Sequence, residues 1–355
     1  MATEDIHNTL PFLENVGLLL TYKCQVSCPH CILEAGPRRT EEMRMEDAAE
    51  WIRQVSRYRD GHVKVLSITG GEPFFNITKF QAICDLAANN GLLVTVVSNA
   101  YWASTPEAAL KLLRELPSLA MLGISTDVYH QETIPLDRVF NAISAAKACS
   151  IPYKISVCTE SRNDSGYKST MAKLQEIVDP VDINTVETVL AGRALVTLGR
   201  CDHPMVAEPP SCGCLPAASP IIFPDGRVIA CIGALISLSN PHPLVLGNLH
   251  ELSLEEIFDR AEVNALVHAI RVWGPRKLWD VLRAAGYDAE VPHDFIANNL
   301  CDACYRLFSR PTLVSYLANV NHDPDFTRKT AYARMFYLKE AQMLERLRDQ
   351  LPVED

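Results

Sequence analysis

The sequence predicts an open, partial α/β barrel of six strand–helix units, followed by a smaller cysteine-rich domain and a helical tail. Two observations lead to this class. Short β-rich runs alternate with amphipathic stretches between residues 17 and 199, and beyond residue 200 the chain becomes rich in Pro, Gly and Cys. Strand–helix repetition indicates a parallel sheet with helices outside it. Six units are too few for a closed eight-stranded barrel. The expected domains are residues 1–200, 201–310 and 311–355.

The barrel elements follow one another with little space between them. Pro106 falls near the start of one predicted helix and Gly91 just past the end of another, as helix ends prefer. The predicted strands are 17–22, 63–69, 92–98, 119–125, 153–158 and 182–187. The predicted helices between them lie near 45–59, 78–90, 105–115, 137–149 and 166–178.

The second half of the chain has a different sequence pattern, with turn signals and longer helical stretches. Turn signals occur at Pro224-Asp225-Gly226 and at Leu246-Gly247-Asn248. The first of these predicts a hairpin with strands at 221–223 and 227–230. Helical patterns follow at 253–271, at 276–285 and, rich in charged residues, at 326–350.

Composition and charge exclude several functional classes. The 355 residues carry a formal net charge of −10, whereas nucleic acids and anionic membranes favour basic partners. The start of the chain lacks the features of a secretory signal, and no apolar run reaches the roughly 18 residues of a membrane-spanning helix. We therefore expect a cytoplasmic protein, in which the twelve cysteines indicate metal binding or catalysis and not disulfides.

Three of these cysteines form a compact group directly after the first predicted strand. Cys24, Cys28 and Cys31 are separated by three and then two residues. Thiolates are the usual ligands of iron–sulfur clusters, and three of them hold three irons of a four-iron cluster, leaving the fourth iron free. The alternatives are a zinc site completed by His30, or three unrelated thiols. His30 lies directly beside Cys31 and is poorly placed to share its metal.

This spacing resembles the signature of the radical SAM superfamily. In that family the free iron chelates S-adenosylmethionine, an electron from the cluster cleaves the cofactor, and the resulting 5′-deoxyadenosyl radical removes a hydrogen atom from a substrate. The resemblance therefore implies a [4Fe–4S] cluster on Cys24, Cys28 and Cys31, with S-adenosylmethionine as cofactor. His30 departs from the family, which usually has an aromatic residue before the third cysteine.

Further segments resemble the parts of this family that bind S-adenosylmethionine. Thr69-Gly70-Gly71-Glu72-Pro73 is similar to the Gly-Gly-Glu-Pro motif that contacts the methionine amino group. Gly192-Arg193-Ala194 resembles a segment whose arginine pairs with the cofactor carboxylate, which suits a guanidinium fork. Polar residues at the carboxyl ends of parallel strands face the ligand crevice. By the same resemblance, those expected to bind the cofactor are Ser98, Asn99, Ser125, Asp127 and Ser156.

Candidate catalytic residues lie at the ends of the fourth and fifth strands. Tyr129 and His130 follow the fourth strand and could bind substrate or transfer a proton. Cys158 ends the fifth strand and could return a hydrogen atom to a substrate radical. Cys149 and Cys201 are weaker candidates for that role, and core packing is the more common fate of such thiols.

A second cysteine group resembles the auxiliary-cluster domain of the SPASM and Twitch subgroup. Cysteines beyond Cys304, which complete the second auxiliary cluster of SPASM domains, do not occur, so the shorter Twitch form with one additional [4Fe–4S] cluster is the better match. A four-cysteine zinc knot is the alternative. The expected ligands are either Cys212 or Cys214, together with Cys231, Cys301 and Cys304.

The function predicted from these motifs is hydrogen-atom abstraction from a natural-product or peptide substrate, with net two-electron oxidation assisted by the auxiliary cluster. The alternatives are a radical epimerase and a maturase that forms peptide crosslinks or thioethers. Non-enzymatic alternatives are an iron–sulfur electron carrier and a zinc scaffold, neither of which needs the Gly-Gly-Glu-Pro turn. Because Cys24 lies near the start, we expect no leader-binding region before the barrel. The expected partner is a flavodoxin- or ferredoxin-type electron donor.

Overall fold

The computed structural model describes residues 13–200 and 203–348. Its first half is the predicted series of parallel strands and helices, with ends that differ from the predictions by at most three residues. The strands are β1 (Asn15–Leu19), β2 (Val65–Thr69), β3 (Leu93–Ser98), β4 (Leu119–Ser125), β5 (Tyr153–Thr159) and β6 (Ile183–Glu187). The helices are α1 (Met45–Arg57), α2 (Ile77–Asn89), α3 (Pro106–Arg114), α4 (Val128–Gln131), α5 (Leu136–Ala148) and α6 (Ser165–Gln175).

The two faces of this parallel sheet differ in burial and chemistry, because side chains alternate along each strand. One face is apolar and almost fully buried, through Leu66, Ile68, Val94, Val96, Leu122, Ile124, Ile155 and Val157. The opposite face is half-buried and carries hydroxyl groups, through Ser67, Thr69, Thr95, Ser125 and Ser156. The apolar face forms the core beneath the helices, and the hydroxyl-bearing face is partly exposed.

The second half of the described chain contains shorter strands and more helices. The strands are β7 (Met205–Val206), β8 (Ile221–Ile222), β9 (Arg227–Ile229), β10 (Val245–Asn248) and β11 (Phe295–Ile296). The helices are α7 (Ala194–Thr197), α8 (Leu254–Val263), α9 (Ala265–Trp273), α10 (Pro275–Ala284), α11 (Leu300–Phe308), α12 (Pro311–Val320), α13 (Pro324–Leu338) and α14 (Met343–Arg348).

The predicted hairpin is present and extends the barrel sheet. β8 and β9 are antiparallel, and β8 pairs in parallel with β1. The nine-stranded sheet has the order β10-β9-β8-β1-β2-β3-β4-β5-β6. Gly17 of β1 allows this pairing, because a Cβ there would lie 3.2 Å from Cγ1 of Ile221. The expected turn at Leu246-Gly247-Asn248 is wrong, since these residues belong to β10 and pair with β9. The domain boundary near residue 200 stays a prediction.

Two predicted long helices are each divided in the structure. The 253–271 pattern forms α8 and α9, because Asn264 leaves helical geometry and its side chain accepts a hydrogen bond from the Val267 N–H. The 326–350 pattern forms α13 and α14, separated at Lys339, which has left-handed backbone geometry with φ of 62°. Residues 349–350 of that pattern lie outside the described residues. The 276–285 pattern is confirmed as α10.

Buried ion pairs join the C-terminal helical region to α8 and α9. Arg334 of α13 is 2% exposed and pairs with Glu262 at 2.5 Å and with Glu340 at 2.6 Å. Glu340 also pairs with Arg271 of α9 at 2.6 Å. Buried charges need such partners. In the part of the chain that the structure describes, no helix has both the length and the apolar character to cross a lipid bilayer.

Candidate active site

The first three-cysteine group lies in the loop between β1 and α1. Cys24 and Cys28 are buried, with 5% and 8% exposure, and Cys31 is half-buried in the same cluster of side chains. Burial, with smaller contributions from the nearby Glu72, Cys28 and Cys31, raises the pKa of Cys24 to about 12. The Cys24 thiol therefore resists ionisation by itself, and metal binding would release its proton.

Arg193 holds this loop from the far end of the barrel. Its guanidinium donates to the carbonyl oxygens of Cys28 at 2.8 Å and Ala35 at 2.6 Å. Gly192 has φ of +56°, and a Cβ there would lie 2.3 Å from the carbonyl oxygen of Ile32. The Gly-Arg pair is therefore packed directly on the cysteine loop. The predicted contact of Arg193 with a cofactor carboxylate stays a prediction.

The Gly-Gly-Glu-Pro turn supports the same loop from the side of β2. Gly71 donates its N–H to the Thr21 carbonyl at 2.6 Å, and Glu72 donates its N–H to the Lys23 carbonyl at 2.9 Å. A Cβ on Gly70 would lie 2.5 Å from the Thr21 carbonyl oxygen, and one on Gly71 would lie 2.2 Å from that of Lys23. The glycines are thus required for the close approach of these two backbone segments. Whether Gly70 to Pro73 contact the methionine group stays a prediction.

The Glu72 side chain is fully buried and accepts three hydrogen bonds. Oε1 accepts from the Phe74 N–H at 3.1 Å and the Ser98 hydroxyl at 2.9 Å, and Oε2 accepts from the Asn99 N–H at 2.8 Å. Burial raises the pKa of Glu72 to about 7, although these hydrogen bonds lower it. Ser98 and Asn99, predicted to bind cofactor, are thus brought to Glu72, whereas Ser125 and Ser156 lie on the open face of the sheet.

Asp127 organises the residues that follow β4. Its Oδ1 accepts from the N–H groups of Tyr129 and His130, each at 3.0 Å, and thereby caps the short helix α4 that contains these residues. Its Oδ2 lies 2.8 Å from His130 Nδ1 and 3.5 Å from His30 Nε2. Burial alone would lower the pKa of His130, but hydrogen bonds to Asp127 and to the Cys28 thiol raise it to about 10.

The other catalytic candidates lie in the same place. The Tyr129 ring packs on the His30 ring with 4.9 Å between centroids, and its hydroxyl donates to Glu160 at 2.5 Å. The ligating atoms of His30, Asp127 and Cys158 lie within 4.8 Å of one another, and burial raises the pKa of Cys158. We did not predict Glu160, whose signal was its position just beyond the end of a strand.

Two weaker cysteine candidates lie elsewhere. Cys149 is half-buried at the end of α5 and packs against the main core. Cys201 lies outside the described residues. Cys158 is therefore the candidate thiol that the structure brings beside the cysteine loop.

Several polar atoms beside the first cysteine group are buried and, among the described residues, have no hydrogen-bond partner. They are Gln25 Oε1, His30 Nδ1 and Thr126 Oγ1. Buried polar atoms are usually paired, so unpaired ones need an explanation. A polar cofactor beside the thiols would supply the missing partners.

The second cysteine group lines a small enclosed cavity. Cys214, Cys231, Cys301 and Cys304 surround it, whereas Cys212 is exposed and lies outside it. The rest of the lining is apolar, through Ala217, Ala234, Leu235, Leu244, Ile270 and Leu300. Four thiols can satisfy all the protein positions of a [4Fe–4S] cluster or of a structural zinc ion.

Gly233 leaves room for a metal centre beside these thiols. A Cβ there would lie 2.9 Å from Cys301 Sγ and 3.3 Å from Cys231 Sγ. The Gly233 N–H donates to Cys231 Sγ at 3.1 Å. Burial raises the pKa of Cys214 to about 11 and that of Cys231 to about 12. These thiols would therefore be neutral without a metal, and the space beside them suits one.

Comparison with known proteins connects the part of the chain that holds the first cysteine group to a family. Residues 18–172 match the family described as the Radical SAM superfamily. YydG of Bacillus subtilis (strain 168), named as a peptide biosynthesis protein, is 20% identical over 310 residues, covering 85% of this chain and 94% of YydG. A GTP 3′,8-cyclase of Paenarthrobacter nicotinovorans is 29% identical over 170 residues, covering 44% of this chain and 46% of the cyclase.

Two solved structures are distantly similar in fold. BtrN, in complex with AdoMet and 2-DOIA, is 11% identical with a TM-score of 0.42, over 73% of this chain and 87% of BtrN. Methylornithine synthase (PylB) is 17% identical with a TM-score of 0.39, over 51% of this chain and 55% of the synthase.

Proposed function

Since residues 18–172 belong to the radical SAM superfamily, we propose that this enzyme removes a hydrogen atom from a peptide and completes a net two-electron oxidation. Cys24, Cys28 and Cys31 would hold the first [4Fe–4S] cluster. With S-adenosylmethionine bound, that cluster supplies a 5′-deoxyadenosyl radical. The Gly-Gly-Glu-Pro turn, Asp127 and the hydroxyl groups of Ser125 and Ser156 would position the cofactor beside it.

The observation that carries the oxidation is the enclosed four-thiol site. Cys214, Cys231, Cys301 and Cys304 line one apolar cavity, and Cys212 does not. We therefore propose Cys214 as the fourth ligand of a second cluster. A cluster whose irons are all bound by the protein has no open position for substrate, which fits a role in carrying electrons.

A peptide substrate is supported by sequence and by shape. YydG, named as a peptide biosynthesis protein, is similar over 94% of its length. The hydroxyl-bearing face of the parallel sheet is open, and exposed Val97 and Val186 lie on it. An extended chain could pack along such a surface with polar and apolar contacts. The electron donor is proposed to be of flavodoxin or ferredoxin type.

Epimerisation is the second candidate, and Cys158 favours it. Its buried thiol lies close to His30 and Asp127, and its raised pKa keeps the S–H bond intact at neutral pH. A thiol can return a hydrogen atom to a substrate radical. The resulting thiyl radical would need one electron and one proton to regenerate.

The test is anaerobic turnover with dithionite, S-adenosylmethionine and candidate peptides in deuterated water. Oxidation gives a product two mass units lighter, with one 5′-deoxyadenosine for each product. Epimerisation gives a product that carries one deuterium at carbon, and Cys158→Ser abolishes that product while 5′-deoxyadenosine still forms. If no 5′-deoxyadenosine is released, the protein is not an enzyme of this kind. Zinc in anaerobically purified protein at the second site would contradict the oxidation.

A further inference from the structure

The side chain of Asn99 makes a contact that cofactor binding does not require. Asn99 follows β3, is 5% exposed, and lies at the edge of the first cysteine group. Its Nδ2 lies 3.5 Å from Sγ of Cys24, within the range of a hydrogen bond to sulfur. Asn99 therefore touches an atom that would ligate iron.

The orientation of the Asn99 amide is determined by a second contact. Its Oδ1 accepts a hydrogen bond from the Tyr101 N–H at 2.9 Å. An amide oxygen accepts and an amide nitrogen donates, so this contact leaves the nitrogen to face the sulfur. The N–H groups of Asn99 are therefore directed at Cys24.

Both ends of the contact are held by one buried residue, Glu72, through its carboxylate at one end and its backbone N–H at the other. The Asn99 N–H donates to Glu72 Oε2 at 2.8 Å. The Glu72 N–H donates to the carbonyl oxygen of Lys23, which directly precedes Cys24, at 2.9 Å. The chain of contacts from Cys24 through Lys23, Glu72 and Asn99 returns to the Cys24 sulfur. This closed ring keeps the amide and the sulfur together.

We propose that the Asn99 side chain donates an N–H···S hydrogen bond to the cluster-ligating Cys24 and thereby raises the reduction potential of the first cluster. A ligating sulfur carries more negative charge when the cluster is reduced, so a donor at that sulfur stabilises the reduced state. Asn99 is a positioning and tuning residue in this role. The inference requires only the first cluster and is independent of the substrate and of the reaction outcome.

The second cysteine group provides an internal contrast. Its N–H···S donor to Cys231 is the backbone of Gly233, which a side-chain substitution does not remove. At the first group, Cys24 accepts from the Val26 backbone and also from a side chain, that of Asn99. The reduction potential of the first cluster can therefore be altered by substitution at Asn99, without replacing a cysteine that binds the cluster.

The experiment is a redox titration of the anaerobic, two-cluster protein followed by electron paramagnetic resonance, without substrate. The first cluster is recognised by the change in its signal when S-adenosylmethionine is added. We expect the midpoint potential of the first cluster to shift to more negative values in Asn99→Ala. The shift should be larger in Asn99→Asp, which adds negative charge. The midpoint potential of the second cluster should not shift in either variant. If the iron-replete Asn99→Ala variant has the same first-cluster midpoint potential as the wild type, the proposal is wrong.

The matched control is Ser98→Ala, which removes another hydrogen bond to Glu72 but has no contact with Cys24 sulfur. Its first-cluster potential should equal that of the wild type, and a shift equal to that of Asn99→Ala would refute the specific role of the amide. A second measurement needs no variant. Wild-type protein labelled with ¹⁵N at the asparagine side-chain amides should show a nitrogen coupling to the reduced first cluster, and its absence would also refute the proposal.

Discussion

The two cysteine groups of this protein are built in opposite ways. The first lies in a loop among polar and ionisable side chains, including Glu72, Asp127, His30 and His130. The second is enclosed by aliphatic side chains and a helix, with all four thiols facing one cavity. One group has a thiol too few to close a four-iron cluster, and the other has the complete set.

This difference fits the roles proposed for the two groups, cofactor cleavage at the first and electron transfer at the second. A polar environment with unpaired buried atoms can bind a charged cofactor and adjust its protonation. An apolar enclosure disfavours charged cofactors and proton transfer. Low polarity and the absence of an open ligand position suit electron transfer. A change in one group should therefore leave the other group intact.

Removing a thiol of the first group should have the largest effect. Cys28→Ala should reduce formation of 5′-deoxyadenosine below detection, because two thiols cannot hold the cluster. Iron analysis should show that the second group still binds its cluster. Cys149→Ala, at the end of α5, is the control and should leave both clusters in place. Full activity of Cys28→Ala would contradict the assignment of the first site.

A pair of substitutions tests the second group. Cys214→Ala should lose the second cluster and the oxidised peptide product but continue to release 5′-deoxyadenosine, because the first group is intact. Cys212→Ala should retain both clusters, because this thiol is exposed outside the cavity. Iron content and product analysis check both variants. If Cys212→Ala loses the second cluster and Cys214→Ala retains it, Cys212 is the ligand.

Substitution of Arg193 tests whether iron binding by the first group depends on the hydrogen bonds that hold its loop. Arg193→Gln removes the charged donor of two hydrogen bonds to loop carbonyls, and we expect a loss of about 4 kcal/mol in unfolding free energy, at about 2 kcal/mol for each bond. Iron loading of the first group should fall with it. Arg193→Lys retains the charge but not the fork and should restore only part of the loading.

Iron analysis distinguishes this role of Arg193 from the predicted contact with the cofactor. Normal iron content and stability, combined with a raised KM for S-adenosylmethionine, would assign Arg193 to the cofactor carboxylate. The second group should load normally in either case.

Glu72 gives the smallest and most specific effect. Its pKa in the folded protein, about 7, is above the ordinary value of 4.5, so the unfolded chain loses this proton at lower pH. The wild type should therefore lose stability relative to Glu72→Gln as the pH rises from about 4.5 to 7, by roughly 2 to 3 kcal/mol. Melting temperatures of both proteins at pH 5 and pH 8 measure the difference. A pH-independent difference would mean that Glu72 does not change ionisation in this range.

Local patterns in the sequence were sufficient for the barrel and for the first cysteine group. Strand alternation and helix ends located β1 to β6 to within three residues, because these signals depend on near neighbours. The spacing of Cys24, Cys28 and Cys31 defined the loop for the same reason. A four-residue helix such as α4 is too short to show periodicity, so its capping by Asp127 was not visible.

Long-range contacts were not accessible from the sequence. Cys212 and Cys214 fit the same spacing, and only the packing of α9 and α11 around the cavity separates them. The carbonyl partners of Arg193 lie more than 150 residues away along the chain. The pairing of β8 with β1 likewise joins residues about 200 positions apart.

That pairing of β8 with β1 has a mechanical consequence. β1 leads into the first cysteine loop, and β9, the antiparallel partner of β8, leads into Cys231. β8 lies between β1 and β9, so both cysteine groups are attached to one continuous set of paired strands. Electron tunnelling weakens steeply with distance. A shared sheet would keep the distance between two bound clusters, and so the rate of electron transfer between them, the same in every turnover. A chain cut before residue 221 would also leave β1 as a bare edge, inviting aggregation.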